Sequence, residues 1–560
     1  MGTFLDERRL LDGPWRAFER DIGRMLLANG FDDVRVVGGS GDRGADVLGV
    51  KQGELWVVQA KYTTNTPPPR SAVAEVVEAG EFYRADRMLV ACSRHPGQGI
   101  LEERDRFAKL GIKVEIVGPA KLQRAVEAAP EYAKSRRQLR PYQSGAVEAF
   151  RDALVSSGRG QVVLATGLGK TVVMAETVAQ LLREGLVKDG RVLVLAHTRD
   201  IVDQLHFAFW SQLPKSIPTH RLEGGEVPSF WEGVTFATIQ SVLGRIDDLP
   251  SFGLVLVDEA HHVGSDTFIN SISALSPPML GGVTATPWRG DGFDIDQLLG
   301  PAVVQIGIEE GLRKGFLSEV DYRLLADNVD WEVVKELSKH RYSLQELNRR
   351  LLIPTRDEEA ARIIREAFDK DGRRAGIVFS PTTVHARHMA AILRRYDLRS
   401  EAIFGDLAPR ERDKLMSAFR RGDLDVVTSV DLFNEGVDVP DVDLIAFMRV
   451  THSRRIFVQQ LGRGLRVSPR KDKVMVLDFV SDLRRVAEVI RLDAAARGGD
   501  SPIERLGLGE SIVSFSNASA GGIVMEWLRD QADLLLREGD PSLELPRFDF
   551  PEPVAPGGVQ

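Results

Sequence analysis

The chain has 560 residues, 43% hydrophobic and 28% charged, which suits a globular protein of three or four domains at about 150 residues each. Its formal net charge of −8 gives no global attraction to nucleic acid, so any such contact has to come from local basic surface. No apolar run approaches the roughly 18 residues of a membrane span and no secretory leader pattern is present, so a cytoplasmic protein with no membrane association is expected.

Residues 1–128 read as a small α/β unit. Trp15 to Asn29 carries apolar residues at helical spacing, and Gly30 follows as a stop. Strands are expected near Val34 to Val37, Ala45 to Val50 and Leu55 to Lys61, the last two joined by KQGE, which suits a tight hairpin turn. After the prolines Pro67 to Pro69 come a helix (Val73 to Tyr83), a buried strand (Met88 to Cys92), a helix (Ile100 to Leu110), a strand (Lys113 to Val117) and a short helix. Cys92, the only cysteine, lies in the apolar run MLVACS and reads as a buried structural thiol with no disulfide partner.

The chemistry of this unit lies in the hairpin. Asp46 begins one strand, and Gln59 and Lys61 lie two apart on the next, so the two-residue period puts their side chains on one face, beside Asp46 across the pair. A carboxylate, an amide oxygen and an ammonium converging this way can hold one Mg²⁺ and orient a water for attack on a phosphodiester. The plainer alternative is a turn-capping Asp46 and a solvated Lys61. The run GDRGADVLGV followed by VVQAKY resembles the Mrr-like branch of the PD-(D/E)xK nucleases. That resemblance implies a nuclease fold, Asp46 and Gln59 on the metal, catalysis by Asp46, Gln59 and Lys61, and an additional acidic residue at Glu19 on the first helix. Gln59 stands where other branches carry an acid, which weakens charge compensation of the metal and implies slow or effector-dependent cleavage.

Residues 129–138 read as a basic linker, with Lys134, Arg136 and Arg137 either solvated or in contact with phosphate. From 139 to 307 strands and helices alternate, as in a parallel sheet with crossover helices. In QVVLATGLGKT an apolar strand passes into a glycine turn, and Lys170 and Thr171 open a helix; this is the order of a phosphate-binding loop for the triphosphate of ATP. Gly167 and Gly169 let backbone amides approach phosphate, Lys170 neutralises the outer phosphates and Thr171 ligates magnesium, although the first glycine of GxxxxGK[ST] is replaced by Leu164. In SFGLVLVDEAHH a strand delivers Asp258, expected on Mg²⁺, and Glu259, expected to activate the water that attacks the γ-phosphate.

Residues 308–370 are expected to form a helical connector and 371–483 a second lobe that begins with the buried strand AGIVFS. In QQLGRGLR, Arg463 and Arg466 lie three apart on one helical face and can reach a transferring phosphoryl group. Residues 484–560 carry helical patterns and end in an acidic, proline-rich tail.

Taken together, GLGKT, DEAHH, TATP at Thr284 to Pro287 and QQLGRGLR, in this order, resemble the superfamily 2 helicases and translocases. Their DEAH-type branch includes RadD-like proteins and the motor subunits of type I and type III restriction enzymes. The resemblance implies an α/β architecture: a restriction-endonuclease-like domain, two RecA-like parallel-sheet motor domains and a small helical C-terminal region. It implies adenine recognition by Gln143, γ-phosphate sensing by His261 or its link to Gln460, and a ribose and coupling motif at Gly436 and Asp438. Nucleic-acid backbone contacts are implied near Thr198-Arg199, ATIQS and Ser380. The expected ligands are ATP, Mg²⁺ and double-stranded DNA, branched or modified DNA included, with defence or repair proteins as further partners. The function expected first is ATP-dependent restriction of foreign DNA. The rivals are a repair helicase whose N-terminal domain only binds DNA, and an ATP-gated sensor that does not cut.

Overall fold

The structure is a computed structural model that describes residues 2–37, 44–260, 266–285, 295–324, 357–430, 442–448 and 473–479, with a few shorter stretches beyond 324. His261, Gly436, Asp438, Gln460, Arg463 and Arg466 lie outside the described residues, as do 38–43 and nearly all of 484–560. Two compact units form, one of residues 1–165 with 169–307 and one of 166–168 with 308–560.

The first unit begins with α1 (Glu7–Asp12) and α2 (Trp15–Ala28), followed by β1 (Asp32–Val36), β2 (Val47–Lys51) and β3 (Glu54–Lys61). Then come α3 (Ser71–Tyr83), β4 (Arg87–Cys92), α4 (Gln98–Lys109), β5 (Val114–Val117) and α5 (Pro119–Ala128). The five strands pair in sequence order, β1 to β3 antiparallel and β3 to β5 parallel. The KQGE turn closes the hairpin with Gln52 and Gly53 both at positive φ, 54° and 83°, as a primed two-residue turn requires.

Strand alternation sorts the apolar residues onto two faces. Val47, Val58 and Ala60 pack with Phe18 and Ile22 of α2, while Leu48, Val57 and Cys92 pack with Val73 and Val76 of α3. Cys92 is fully buried and burial pushes its thiol up to about 12, which makes it the inert packing group its sequence context suggests.

The same unit continues with α6 (Pro141–Ser157), β6 (Arg159–Leu164), α7 (Lys170–Arg183), β7 (Arg191–Ala196), α8 (Arg199–Gln212), β8 (Thr219–Leu222) and β9 (Gly233–Thr238). It closes with α9 (Ile239–Leu243), β10 (Leu254–Asp258), α10 (Asp266–Leu275), β11 (Met279–Thr284), α11 (Asp296–Leu299) and β12 (Ala302–Ile306). These seven strands form one parallel sheet in the order β12-β6-β11-β10-β7-β9-β8. Its inner strands β7 and β10 are near-continuous buried apolar runs, as expected for a parallel sheet covered on both faces.

The 129–138 linker lies against the motor helices. Arg136 pairs with Glu176 of α7 at 2.8 Å and stacks over Tyr132, and the Arg137 backbone exchanges hydrogen bonds with the Gln212 amide. The segment is thus laid along the motor sheet's helices, with side-chain partners of its own, and the two α/β layers share one compact unit.

In the second unit, β13 (Glu319–Leu324) pairs in parallel with Lys473–Asp478, so part of the expected helical connector is a strand of the second motor sheet. Its alternating residues carry no long helical period, and a strand partner satisfies its backbone. Among the described residues the connector also holds the helices Ile308–Arg313 and Asp357–Lys370, the latter packing Ala360, Ala361 and Ile364 onto the core of that sheet. The central strand Gly376–Phe379 lies between Val426–Ser429 and Leu444–Phe447, all parallel, with Ser380 at its C-terminal end.

Candidate functional site

Two centres emerge, both with their functional side chains in the first unit. In the N-terminal sheet the register Val47↔Val58 sets Asp46 beside Gln59, and the Asp46 amide donates to Val58 O at 3.0 Å. Asp46 Oδ2 accepts from Gln59 Nε2 at 2.5 Å and from the Ala60 amide at 2.6 Å. Both side chains are buried, at 2% and 4% exposure. The carboxamide spends its N–H on the carboxylate, and its oxygen Oε1 is left buried without a hydrogen-bond partner. A buried amide oxygen in that state is costly unless a hydrogen-bond donor, a water or a cation meets it. A hard divalent cation suits this donor set, since Asp46 supplies charge and Gln59 Oε1 a neutral oxygen. Among the described residues no three His, Cys, Asp or Glu side chains converge, so the centre offers fewer carboxylates than a full acidic cage.

Lys61 occupies the same face two residues on, but its Nζ is directed to Glu75 Oε2 of α3 at 2.5 Å. Glu75 is absent from the expected site, although its position on the apolar α3 stripe AVAEVV marks it: a lone acid in the turn that faces the strand. Gly44, just before Asp46, explains how close α3 comes. It has φ of 87°, and a Cβ there would meet the Glu75 carbonyl oxygen at 2.4 Å. Glu19 is buried on α2, the helix packed on the opposite face of the sheet from α3.

The second centre lies at the C-terminal ends of β6 and β10, where ligands of parallel sheets gather. β6 runs into the glycine turn, with Gly167 and Gly169 at φ of 93° and 86°, and Lys170 and Thr171 open α7. Gln143 on α6 abuts this loop. Its Oε1 accepts from the Arg140 amide at 2.9 Å, and a Cβ on Gly169 would meet its Nε2 at 2.5 Å. Asp258 ends β10, and Glu259 follows with φ of 49°, a left-handed conformation that a non-glycine residue keeps only where its surroundings enforce it. Lys170 Nζ lies 3.6 Å from Glu259 Oε1. Burial, and then the neighbouring Glu259 charge, push the Asp258 carboxyl up to about 7, and its Oδ1 has no hydrogen-bond partner. This is a carboxylate pair whose charge calls for a cation, with Thr171 at the helix start as the expected third oxygen.

Residues 10–124 match the family described as restriction endonuclease, the Mrr catalytic domain. Residues 136–289 match the type III restriction enzyme res subunit, and residues 359–468 the helicase conserved C-terminal domain. The chain joins an Mrr-type restriction endonuclease domain to a superfamily 2 helicase core. The helicase core is similar to a Saccharomyces cerevisiae protein named ATP-dependent helicase IRC3, 26% identical over 61% of this chain and 51% of the relative. It is also similar to the DNA 3'-5' translocase XPB2 of Sulfurisphaera tokodaii, 28% identical over 61% of this chain and 81% of the relative. The chain thus spans about half the length of the yeast relative. In fold it resembles the ATP-dependent type ISP restriction-modification enzyme LlaBIII bound to DNA, with a TM-score of 0.51 and 17% identity over 93% of this chain and 42% of that one.

Within the helicase core, an open groove of about 450 Å³ is lined by His197, Arg199, Thr238, Gln240 and Ser241. The hydroxyls of Thr198 and Thr238 cap α8 and α9, accepting from the Ile201 and Ser241 amides. These threonines therefore serve the helix ends, and the Arg199 guanidinium, largely exposed, is the cationic group on the groove. No helix among the described residues is long and apolar enough to cross a membrane.

Proposed function

We propose that the chain is an ATP-driven DNA translocase whose N-terminal domain is a metal-dependent endonuclease, and that the pairing serves restriction of foreign phage or plasmid DNA. The observation that carries the nuclease half is the buried Asp46–Gln59 pair with the unpartnered Gln59 Oε1, one residue from Ala60 and two from Lys61. In this reading Mg²⁺ is held by Asp46 and Gln59 in the nuclease centre and by Thr171 and Asp258 in the motor, and supplies Lewis-acid charge beside a phosphoryl oxygen. Lys61 orients the attacking water or the scissile phosphate, and Glu19 supports the centre from α2.

In the motor, Gly167, Gly169 and Lys170 cradle the phosphates, Gln143 lies toward the base, and Glu259 orients the attacking water. Lys170 exchanges its Glu259 partner for phosphate oxygens when the nucleotide enters. His261, Gly436, Asp438, Gln460, Arg463 and Arg466 keep the roles the family resemblance implies, with the arginines completing the phosphoryl site. Restriction is favoured over repair by the order of the matched families, nuclease first and type III restriction motor second.

The Lys61–Glu75 pair favours one competing reading, a domain that binds DNA without cutting it because its ammonium is already engaged. Cleavage of supercoiled and linear plasmid, methylated and unmethylated, with Mg²⁺ and with or without ATP, separates the two. The nuclease reading expects nicking by the full chain, none by Lys61→Ala, and DNA-stimulated ATPase retained in that variant. Lys170→Ala then reports whether cutting needs the motor. ATP hydrolysis with no cleavage on any of these substrates would move the domain to DNA binding alone.

A further inference from the structure

The charged side chains of α2 lie where the nuclease domain meets the first motor lobe, and nearly all of that helix is buried. Arg20, Asp21 and Arg24 are 8%, 2% and 2% exposed, and Arg9 on α1 is 1% exposed. Buried charges need partners, and those of the three arginines include groups at the motor sheet's edge. Arg24 donates to Ile217 O at 2.7 Å and Pro214 O at 3.0 Å. Arg9 donates to Thr219 O at 2.8 Å and pairs with Asp21 at 2.7 Å. Arg20 is ion-paired with Glu226. Trp210, near the end of α8, sits in the nuclease domain's own apolar cluster with Phe18 and Ile22. The edge strand β8 is thereby covered, and separating the two layers would break the cross-layer bonds of Arg9, Arg20 and Arg24.

The same helix supports the nuclease centre. Phe18 and Ile22 pack on Val47, Val58 and Ala60, the residues flanking Asp46 and Gln59, and Glu19 precedes Arg20. On the motor side the connection goes on. Glu226 and Glu223 are the two ends of one tight backbone turn, each amide bonded to the other's carbonyl. Glu223 is ion-paired with Arg221 and, at 2.8 Å, with Arg199 on the groove.

We propose that Arg20 is a positioning residue of the nuclease centre, held by the motor lobe through Glu226, and that this pair, continued through the 223–226 turn to Arg199, links the groove on the motor to the nuclease helix. The inference rests on the nuclease reading above. Nucleic acid phosphate in the groove competes with Glu223 for Arg199. Release of Glu223 loosens the turn that fixes Glu226, and the shift reaches α2 and the strands it supports. The motor's engagement with DNA and the readiness of the nuclease centre are then reciprocal.

Glu226→Gln in the full chain keeps shape and removes the charge. Three quantities are measured: DNA-stimulated ATPase, nicking against Mg²⁺ or Mn²⁺ concentration, and hydrogen exchange of residues 15–28 with and without duplex DNA. The expected result is ATPase retained, a half-maximal metal concentration for nicking raised by about 10-fold as for loss of an outer-shell partner, and α2 exchange that no longer responds to DNA. Unchanged metal dependence together with an unchanged α2 response overturns the proposal. Should Glu226→Gln fail to fold, Glu223→Gln, next to the exposed Arg199, is expected to abolish the α2 response to DNA, and a retained response overturns the link. A wild type that nicks nothing yet shows the α2 response removes the nuclease reading and supports the link. A wild type that nicks but shows no α2 response removes the link alone.

Discussion

Lys61 Nζ of β3 and Glu75 Oε2 of α3 are 2.5 Å apart, so the ammonium expected at the metal centre is held from the side by a carboxylate on the neighbouring helix. The pair is only partly buried, at 21% and 38% side-chain exposure, so its worth to stability is at most about 1 kcal/mol after solvent screening. Its effect on position is larger. Glu75→Gln is expected to leave the thermal midpoint nearly unchanged and to cut nicking by about 10-fold, while Lys61→Ala abolishes it. Equal nicking by wild type and Glu75→Gln in a plasmid assay would show that the pair is incidental.

Gln59 invites the opposite experiment. Replacing it with glutamate removes the N–H that Asp46 Oδ2 accepts and sets a second carboxylate against the first. Without metal, repulsion raises the pKa of one carboxyl and destabilises the domain. With metal, a second anionic oxygen tightens binding, and a ligand at 100 times its Kd stabilises by about 2.7 kcal/mol. Gln59→Glu is therefore expected to melt below wild type in chelator and to gain more from added Mg²⁺. The same thermal shift for both proteins would mean that Gln59 does not face the metal.

Gly44 gives a backbone test that removes no polar group. A methyl there meets the Glu75 carbonyl oxygen at 2.4 Å and forces a left-handed conformation at φ of 87°, itself costing about 1–2 kcal/mol. Since the obstacle is backbone, α3 must shift and carry Glu75 away from Lys61. Gly44→Ala should lower the melting temperature and lose nicking, with DNA-stimulated ATPase intact. Wild-type nicking by a normally folded Gly44→Ala would contradict the close packing of α3 on the Gly44–Asp46 turn.

These results also show which features were legible in the sequence. Asp46 and Gln59 could be paired from strand period and hairpin length, because a two-residue turn fixes the register and the register fixes the face. The phosphate loop and the Asp258-Glu259 strand end were readable for the same reason: their chemistry is local in the chain. Glu75 stands out in sequence only as a lone acid on an apolar helix stripe; that it meets Lys61 depends on how α3 settles across β3, a tertiary fact. Arg20, Asp21 and Arg24 are a sharper case. Nothing in the local helical pattern marks them as buried, whereas Arg24 donates to carbonyls about 190 residues away, Arg20 pairs with Glu226, and Asp21 pairs with Arg9. The strand Glu319–Leu324 was hidden within a helical-looking region because its pairing partner lies about 150 residues on.

Asp258 provides the pH test. Its carboxyl is raised to about 7 by burial and by Glu259, so in the nucleotide-free protein the Asp258–Glu259 pair holds an extra proton below that value and gives it up above. The sign follows from linkage. A cation bound at Asp258 needs the ionised form, so binding below pH 7 must expel a proton and binding above pH 8 need not. The metal affinity of the motor site, read from the Mg²⁺ dependence of ATP hydrolysis at fixed nucleotide, should weaken by up to about tenfold for each pH unit below 7 and level off above 8. Calorimetry of Mg²⁺–nucleotide binding at pH 7 in two buffers of different ionisation enthalpy should show net proton release. The unfolded chain ionises this group near 3.8, so between 3.8 and 7 the folded state holds the extra proton, and this carboxyl's contribution to stability falls as pH rises through that window. Metal and nucleotide reverse that loss by binding the charged form. A flat Mg²⁺ requirement from pH 6 to 8, with no proton released, would show that Asp258 is already ionised and that Lys170 satisfies the pair without a cation.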